Sequence, residues 1–201
     1  MSGGGLILAT KRLKRDLQQF NLDPAAQTMY HIEPISDEDI FELKGRIYGP
    51  PDSPYHGGVF HLTVSISENY PFKSPKMVFT TKIWHPNISK QSVPYHAIQL
   101  FHVSLTDKRS PFPIADESGG ICLDTLQKKW SAAFSLRTAM MSVQALLSSP
   151  SAASGINPEA LKQMREFPEE YKKTASFWTY HYAMDTKTDE VISANGPQEG
   201  T

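Results

Sequence analysis

Three features that define whole classes of protein are nearly missing from this sequence. Cysteine occurs once in 201 residues, as Cys122, so a secreted scaffold held by intramolecular disulfides is excluded. The formal net charge is only -1, which gives no overall electrostatic reason to expect nucleic acid or an anionic membrane as a partner. No run approaches the roughly 18 apolar residues of a membrane span, and the apolar stretch before Lys11 is too short for a signal peptide. We therefore expect a cytoplasmic and/or nuclear protein.

The first half of the chain has the pattern of one helix followed by four strands. Apolar residues recur at helical spacing opposite a basic face, at Leu6, Ala9, Leu13, Leu17 and Phe20. The Asp23-Pro24 pair ends this helix. Strands are predicted over 28–33, 41–48, 59–66 and 77–80. Polar and apolar residues alternate in the third of them, as in a sheet with one covered face. Four strands in succession favour an antiparallel meander.

The second half is predicted to be helical. Apolar positions from Leu136 to Leu147 indicate a largely buried helix. Asn157 followed by Pro158 is a strong helix start, with asparagine as the N-cap and proline in the first turn. Pro168 opens a third helix. Strands followed by helices predict an α+β domain.

The domain is expected to occupy most of the chain. Hydrophobic content of 39% and charged content of 20% suit one globular domain with a single core. We expect disorder in the glycine-rich start, residues 1–5, and in the polar tail, residues 184–201. Residues 6–183 then form the folded core.

Four short segments carry the candidate chemistry. They are 70–76 (YPFKSPK), 84–88 (WHPNI), 119–124 (GGICLD) and 130–133 (WSAA). A lone cysteine is more often a small buried hydrophobe than a nucleophile. In this setting, however, Cys122 resembles the catalytic cysteine of the ubiquitin-conjugating (E2) family, closest to the 25-kilodalton branch of chain-building enzymes. The resemblance implies the E2 (UBC-like) fold, and the tail is too short for the ubiquitin-binding helical domain that some members of that branch carry.

The resemblance implies an enzyme that receives ubiquitin from the activating enzyme (E1) as a thioester on Cys122. It then transfers ubiquitin to a lysine of a substrate or of another ubiquitin, usually with a RING- or HECT-type E3 ligase. A thiolate is a strong nucleophile at neutral pH and its thioester is open to attack by an amine. ATP is consumed by the E1, so neither a cofactor nor a metal is expected. The partners are ubiquitin, the E1, E3 ligases and protein substrates, with no nucleic acid or membrane.

Three residues beside Cys122 take roles from the same resemblance. Asn87 matches the family's asparagine, which donates to the oxyanion formed during transfer or shapes the loop. His85 matches a residue that supports this loop, rather than a general base. Ser154 stands where the family usually places an acidic residue that positions the acceptor lysine. A hydroxyl can orient an amine but cannot supply a negative charge, and loop filler is the alternative role.

A partner-binding surface is also implied. Lys11, Arg12 and Arg15 match positions at which the family's first helix contacts the E1 and E3 ligases. Phe72 and Ala133 match two loops that contact RING-type ligases, although Ala132 stands in place of the usual proline. The alternatives are a solvated basic helix face and a buried Phe72.

One segment does not fit the resemblance. Cys122 follows Asn87 by 35 positions, whereas the two lie much closer together in the family. Removing residues 93–118 restores the pattern. The segment is a genuine insertion, a regulatory flap or translated non-coding sequence. Its histidines, His96 and His102, are not accompanied by the further ligands that a zinc site needs.

Other functions remain open from the sequence alone. The insertion leaves room for a catalytically impaired E2-like protein that binds ubiquitin or an E3. A cysteine hydrolase could pair Cys122 with His85 or His181. A third alternative is conjugation of a different ubiquitin-like modifier.

Overall fold

The computed structural model describes residues 3–90, 119–123, 126 and 128–184. Within them a helix and a short helical turn precede four strands, and three helices follow. The elements are α1 (Gly3–Asn21), α2 (Pro24–Gln27), β1 (Tyr30–Pro34), β2 (Glu42–Tyr48), β3 (Val59–Ser65), β4 (Lys76–Phe79), α3 (Leu136–Ser148), α4 (Pro158–Glu166) and α5 (Pro168–Ala183). The predicted α+β class and its element order are confirmed.

The four strands form one antiparallel sheet in the order β1-β2-β3-β4, which confirms the predicted meander. Alternation along β2 and β3 directs one set of side chains into the core. That set includes Leu43, Ile47, Phe60, Leu62 and Val64, all buried. The opposite face carries polar side chains and is open to solvent.

Helix α1 differs from its prediction at both the start and the buried face. It begins at Gly3, inside the stretch 1–5 for which the sequence predicts disorder. Leu6, predicted to lie in the buried stripe, is 44% exposed, whereas the charged Asp16 is buried.

The helices of the second half begin as the sequence predicts. Asn157 caps α4 by accepting a hydrogen bond from the backbone N–H of Ala160. Pro168 occupies the first turn of α5. Along α3, the predicted apolar face is buried at Leu136, Met140, Val143 and Leu147. These helices complete the core on the covered side of the sheet.

Two findings concern possible partners of the described residues. None of their helices is long and apolar enough to cross a membrane. Nor do they bring together a cluster of histidine, cysteine and acidic side chains suited to a metal ion. The predicted insertion, 93–118, and tail residues 185–201 lie outside the described part of the chain.

Candidate active site

Cys122 lies on a short segment that pairs with the Asn87 loop. Ile121 and Ile88 form an antiparallel bridge, and the N–H of Cys122 donates to the carbonyl of Asn87 at 2.9 Å. Ser89 donates from its N–H to the carbonyl of Gly120, also at 2.9 Å. The 35 positions between Asn87 and Cys122 are therefore closed into direct contact, as the family resemblance requires.

The same segment is fixed to the edge of the sheet. Gly120 bridges Val78 of β4, and the N–H of Phe79 donates to the carbonyl of Gly119 at 3.0 Å. Gly119 has a φ of 73°, a conformation that glycine adopts without steric cost. Cys122 is a free cysteine, and the residue is of intermediate exposure.

The side chain of Asn87 is buried and fully used by a neighbouring loop. Its amide nitrogen donates to the carbonyls of Ser151 at 2.7 Å and Ser154 at 3.0 Å. Its oxygen accepts from the N–H of Ser151 at 2.9 Å. The two N–H groups of the amide are thus occupied in this structure. These hydrogen bonds fit the role in which Asn87 shapes the loop. Donation to an oxyanion requires one of them to open.

His85 is also buried and fully bonded. Its Nδ1 accepts from the N–H of Asn87 at 3.0 Å, so the proton is on Nε2, which donates to the carbonyl of Leu146 at 3.1 Å. Burial lowers the pKa of His85 to about 3. A neutral ring with both nitrogens engaged offers no base to Cys122, which argues against His85 as the partner of a cysteine hydrolase.

A pair of buried tyrosines is bonded to the segment that carries His85 and Asn87. The sequence did not predict this pair. The Tyr55 hydroxyl donates to the carbonyl of Trp84 at 2.7 Å, so it accepts from the Tyr171 hydroxyl at 2.7 Å. Burial raises the pKa of both phenols, that of Tyr171 to about 12. Tyr55 lies in a proline- and glycine-rich turn, and no periodic pattern of apolar residues there predicts that its side chain is buried.

The loop that contains Ser154 is held from two directions. Ile156 and Asn157 donate from their N–H groups to the carbonyl of Pro86 at 2.8 and 3.0 Å. Arg165 of α4 donates from Nη2 to the carbonyl of Ala152 at 2.7 Å. The Ser154 hydroxyl lies 3.4 Å from the Asn87 amide nitrogen. The structure therefore brings Ser154 beside the loop that pairs with Cys122.

A surface ion pair joins the same two regions. Lys90 directly follows the Ser89–Gly120 pairing, and its Nζ lies 3.0 and 2.8 Å from the two carboxylate oxygens of Glu159. Glu159 belongs to the first turn of α4. Both side chains are about half exposed, at 44% and 49%. Neither residue was singled out from the sequence.

The predicted partner surface is exposed except at one residue. Phe72 is 70% exposed, so the buried alternative is wrong, and Lys11, Arg15 and Ala133 are exposed as well. Arg12, in contrast, has only 13% of its side chain exposed. Its guanidinium group is bonded within the protein.

Arg12 connects α1 to the Ala133 loop. Its Nε donates to Asp16 at 2.9 Å, and its two terminal nitrogens donate to the carbonyls of Ala132 and Phe134 at 2.8 and 2.6 Å. Asp16 also accepts from the hydroxyl of Tyr70, on the loop before Phe72. The surface around Phe72 and Ala133 is thus built on a buried polar network.

Comparison with known proteins now identifies the family. The family model described as ubiquitin-conjugating enzyme matches residues 12–93 and 103–179. This chain belongs to the ubiquitin-conjugating enzyme family. It is 36% identical over 177 residues to ubiquitin-conjugating enzyme E2 K of Homo sapiens and of Bos taurus, over 88% of this chain and 75% of each relative.

Solved structures agree. The E2 domain of a Toxoplasma gondii ubiquitin conjugating enzyme superposes with a TM-score of 0.67 at 33% identity, covering 87% of this chain and 98% of that domain. A putative ubiquitin conjugating enzyme from Plasmodium yoelii gives a TM-score of 0.69 at 34% identity, with coverage of 92% and 99%. The resemblance and the E2 fold predicted from the sequence are confirmed.

The family assignment bears on the alternatives. Relatives of this chain are ubiquitin-conjugating enzymes, so an E2 enzyme is supported and the impaired binding protein is not favoured. The two matched stretches leave residues 94–102 unmatched, inside the predicted insertion.

Proposed function

We propose that Cys122 receives ubiquitin from an E1 as a thioester and passes it to a lysine of a substrate or of another ubiquitin. The observation that carries the proposal is the backbone pairing of Cys122, a free cysteine of intermediate exposure, with the Asn87 loop. ATP is spent by the E1, so this chain works without a cofactor or metal. It acts in the cytoplasm and/or the nucleus.

Both steps are acyl transfers between nucleophiles. The Cys122 thiolate attacks the carbonyl of the E1-bound thioester, a new C–S bond forms, and the E1 cysteine leaves as its thiolate. In the second step a lysine amine attacks the Cys122 thioester. A C–N bond forms, the C–S bond breaks, and the amine loses a proton to solvent as Cys122 returns to the thiolate.

Asn87 has two roles in this proposal. It shapes the active-site loop, which its bonds to Ser151 and Ser154 support. It also donates to the oxyanion of the tetrahedral intermediate, after one of those bonds has opened. His85 supports the loop from below. The Ser154 hydroxyl orients the incoming lysine, and its place beside Asn87 supports that role.

Partners bind at α1 and the two adjoining loops. Lys11 and Arg15 supply positive charge on the exposed face of α1, and Phe72 and Ala133 supply the apolar contact for a RING- or HECT-type E3. Exposed aromatic side chains are frequent anchors at interfaces. Arg12 acts within this surface by holding the Ala132–Phe134 carbonyls in place.

The deciding experiment is charging. The purified chain is incubated with E1, ubiquitin and ATP and analysed without reductant. We expect a band heavier by one ubiquitin that disappears on adding thiol and is missing with Cys122→Ala. The Ser154→Ala variant, which keeps the nucleophile, serves as the matched control and should charge normally. A parent protein that never charges with an active E1 would overturn the proposal.

A further inference from the structure

The open face of the sheet carries a row of basic side chains across three neighbouring strands. Strands β1, β2 and β3 alternate between buried residues and residues on this face. The antiparallel register sets Arg46 of β2 opposite His31 of β1 on one side and opposite His61 of β3 on the other. Directly opposed side chains in a sheet have their Cβ atoms about 5 Å apart. Three residues able to carry positive charge are therefore neighbours on the solvent side.

A cavity of about 200 Å³ lies over this row, and we call it the sheet cavity. It is lined by His31, Glu33, Lys44, Gly45, Arg46 and His61. Gly45 contributes backbone alone, because a Cβ on it would meet the side chain of Leu62 in the core. Arg46 and His61 are exposed, and His31 keeps 27% of its side chain accessible. A ligand can therefore reach the basic row from solvent.

The charges around the sheet cavity are unevenly balanced. Glu33 pairs with Lys44, whose Nζ lies 3.2 Å from one carboxylate oxygen, and its other oxygen lies 3.5 Å from Nε2 of His31. The hydrogen bond from Lys44 lowers the pKa of Glu33. Within the described part of the chain, no hydrogen bond or ion pair engages the side chain of Arg46 or of His61. Because like charges directly opposite each other are unfavourable in a sheet, a bound anion stabilises this row.

The size and the lining of the sheet cavity indicate which anion fits. Pockets for drug-sized ligands measure roughly 300–1,000 Å³ and are mostly apolar. The sheet cavity is smaller, and the residues that line it include no apolar side chain. A nucleotide is therefore not favoured, because nothing there packs against its base.

A phosphoryl group has the charge and the acceptors that the basic row lacks. It carries a charge of about −1.5 to −2 and three strong acceptor oxygens. Those oxygens match one guanidinium group flanked by two imidazole rings, and arginine binds phosphate through two parallel hydrogen bonds. A carboxylate has only two oxygens and a single charge, so it leaves part of the row unpaired.

We propose that the sheet cavity binds the phosphoryl group of a phosphorylated serine or threonine on a partner protein. Arg46 donates two hydrogen bonds to the group, and His31 and His61 donate from its two sides. The rest of the partner lies across the open face of the sheet, because the cavity holds little more than the group itself. Glu33 opposes weaker anions, since its carboxylate repels them and keeps Lys44 paired. The site acts independently of Cys122.

The test is a titration of the isotope-labelled protein, followed by NMR, with a short alanine-rich peptide that carries one phosphoserine. We expect the amide signals of β1, β2 and β3 around Arg46 to shift. The same peptide with serine or glutamate at that place should bind at least about tenfold more weakly, and Arg46→Gln should weaken phosphopeptide binding by a similar factor. Glu33→Gln should strengthen it severalfold, because the repelling carboxylate is gone.

The matched control is Lys173→Gln, on the exposed face of α5, which removes the same charge away from the sheet cavity. It should leave the affinity unchanged. Signals of Arg46→Gln outside the three strands should coincide with those of the parent, which shows that the variant folds. Equal losses of affinity in Arg46→Gln and Lys173→Gln would reveal a general charge effect and overturn the proposal.

Three other results would also overturn it. They are equal binding of the glutamate peptide, phosphopeptide shifts confined to another surface, and no shifts at all. Inorganic phosphate is titrated in parallel. If phosphate alone moves the signals around Arg46 and the phosphopeptide does not, the cavity takes free phosphate and the proposed partner is wrong. The titration involves no thioester, so none of these results bears on the function proposed for Cys122.

Discussion

Arg12 and Asp16, one turn apart on α1, form an ion pair in which the carboxylate is almost completely buried. The same carboxylate accepts from the Tyr70 hydroxyl and from the N–H of Leu136 at the start of α3. The Arg12 guanidinium also lies over the Tyr70 ring, 5.7 Å from its centroid. One buried charge pair thus joins α1, the Tyr70 loop and α3.

Removing Asp16 should therefore be costly. In Asp16→Ala the Arg12 charge, the Tyr70 hydroxyl and the Leu136 N–H all lose a partner, and breaking one side of a buried pair costs about 3 kcal/mol or more. Chemical denaturation measures the free energy of unfolding. The control is Lys44→Gln, which breaks the surface pair with Glu33 and should change it by less than about 0.5 kcal/mol. Equal effects of the two substitutions would contradict a stabilising network.

Phe72 should matter for partners rather than for folding. Its side chain is 70% exposed, so Phe72→Ala should change the free energy of unfolding by less than about 0.5 kcal/mol. Loss of an aromatic anchor typically costs about 2 kcal/mol of binding, or roughly 30-fold in affinity. Rates of ubiquitin discharge with and without a RING-type E3 measure this, and only the E3-dependent rate should fall. Ile35→Ala, another exposed apolar side chain, is the control that should leave both rates intact.

Asn87→Ala should separate charging from discharge. Charging uses the Cys122 thiol and should persist, whereas the loss of one oxyanion donor slows transfer about 100-fold or more. Discharge onto free lysine measures the second step. Arg165→Ala is the comparison, because it releases the carbonyl of Ala152 from the same loop and leaves Asn87 in place. If Arg165→Ala slows discharge as much as Asn87→Ala does, loop order alone explains the effect and the oxyanion role is wrong.

Stability should fall in mild acid because of His85. Burial lowers the pKa of His85 to about 3 in the folded protein, against an ordinary value of 6.5. Between these two pH values the unfolded chain binds a proton that the folded protein excludes. The free energy of unfolding is therefore unaffected by His85 above pH 6.5 and decreases as the pH falls below it. At pH 5 the loss from this residue is about 2 kcal/mol. Denaturation of the parent and of His85→Gln at pH 7 and pH 5 measures it, and the variant should lose less on acidification. Identical losses would show that His85 is not the cause.

The sequence predicted the elements and the residues near Cys122, and the reason is local. Helical and strand patterns depend on neighbouring residues. The motif around Asn87 and the motif around Cys122 are each a continuous stretch of sequence. Asp16 was missed because a charged residue was left out of the apolar stripe, although its spacing from Leu13 and Phe20 fits the buried face. Tyr55 with Tyr171, and Lys90 with Glu159, are pairs that only the tertiary fold brings together. No local pattern predicts such contacts.

The last prediction concerns the insertion, whose two flanks the structure places side by side. Ser89 is bonded to Gly120, so deleting residues 93–118 leaves a connection of four residues between them, a usual length for a hairpin loop. Closure entropy alone predicts a gain of about 2 kcal/mol in the free energy of unfolding. We expect charging and discharge to stay near the parental rates, because the pairing with the Asn87 loop already holds Cys122 in place in the full chain. Both rates are measured on the parent and on the deletion variant, with Cys122→Ala in the deletion background as the blank. A deletion variant that charges or discharges at least tenfold faster than the parent would contradict this expectation and show that the insertion impairs the enzyme.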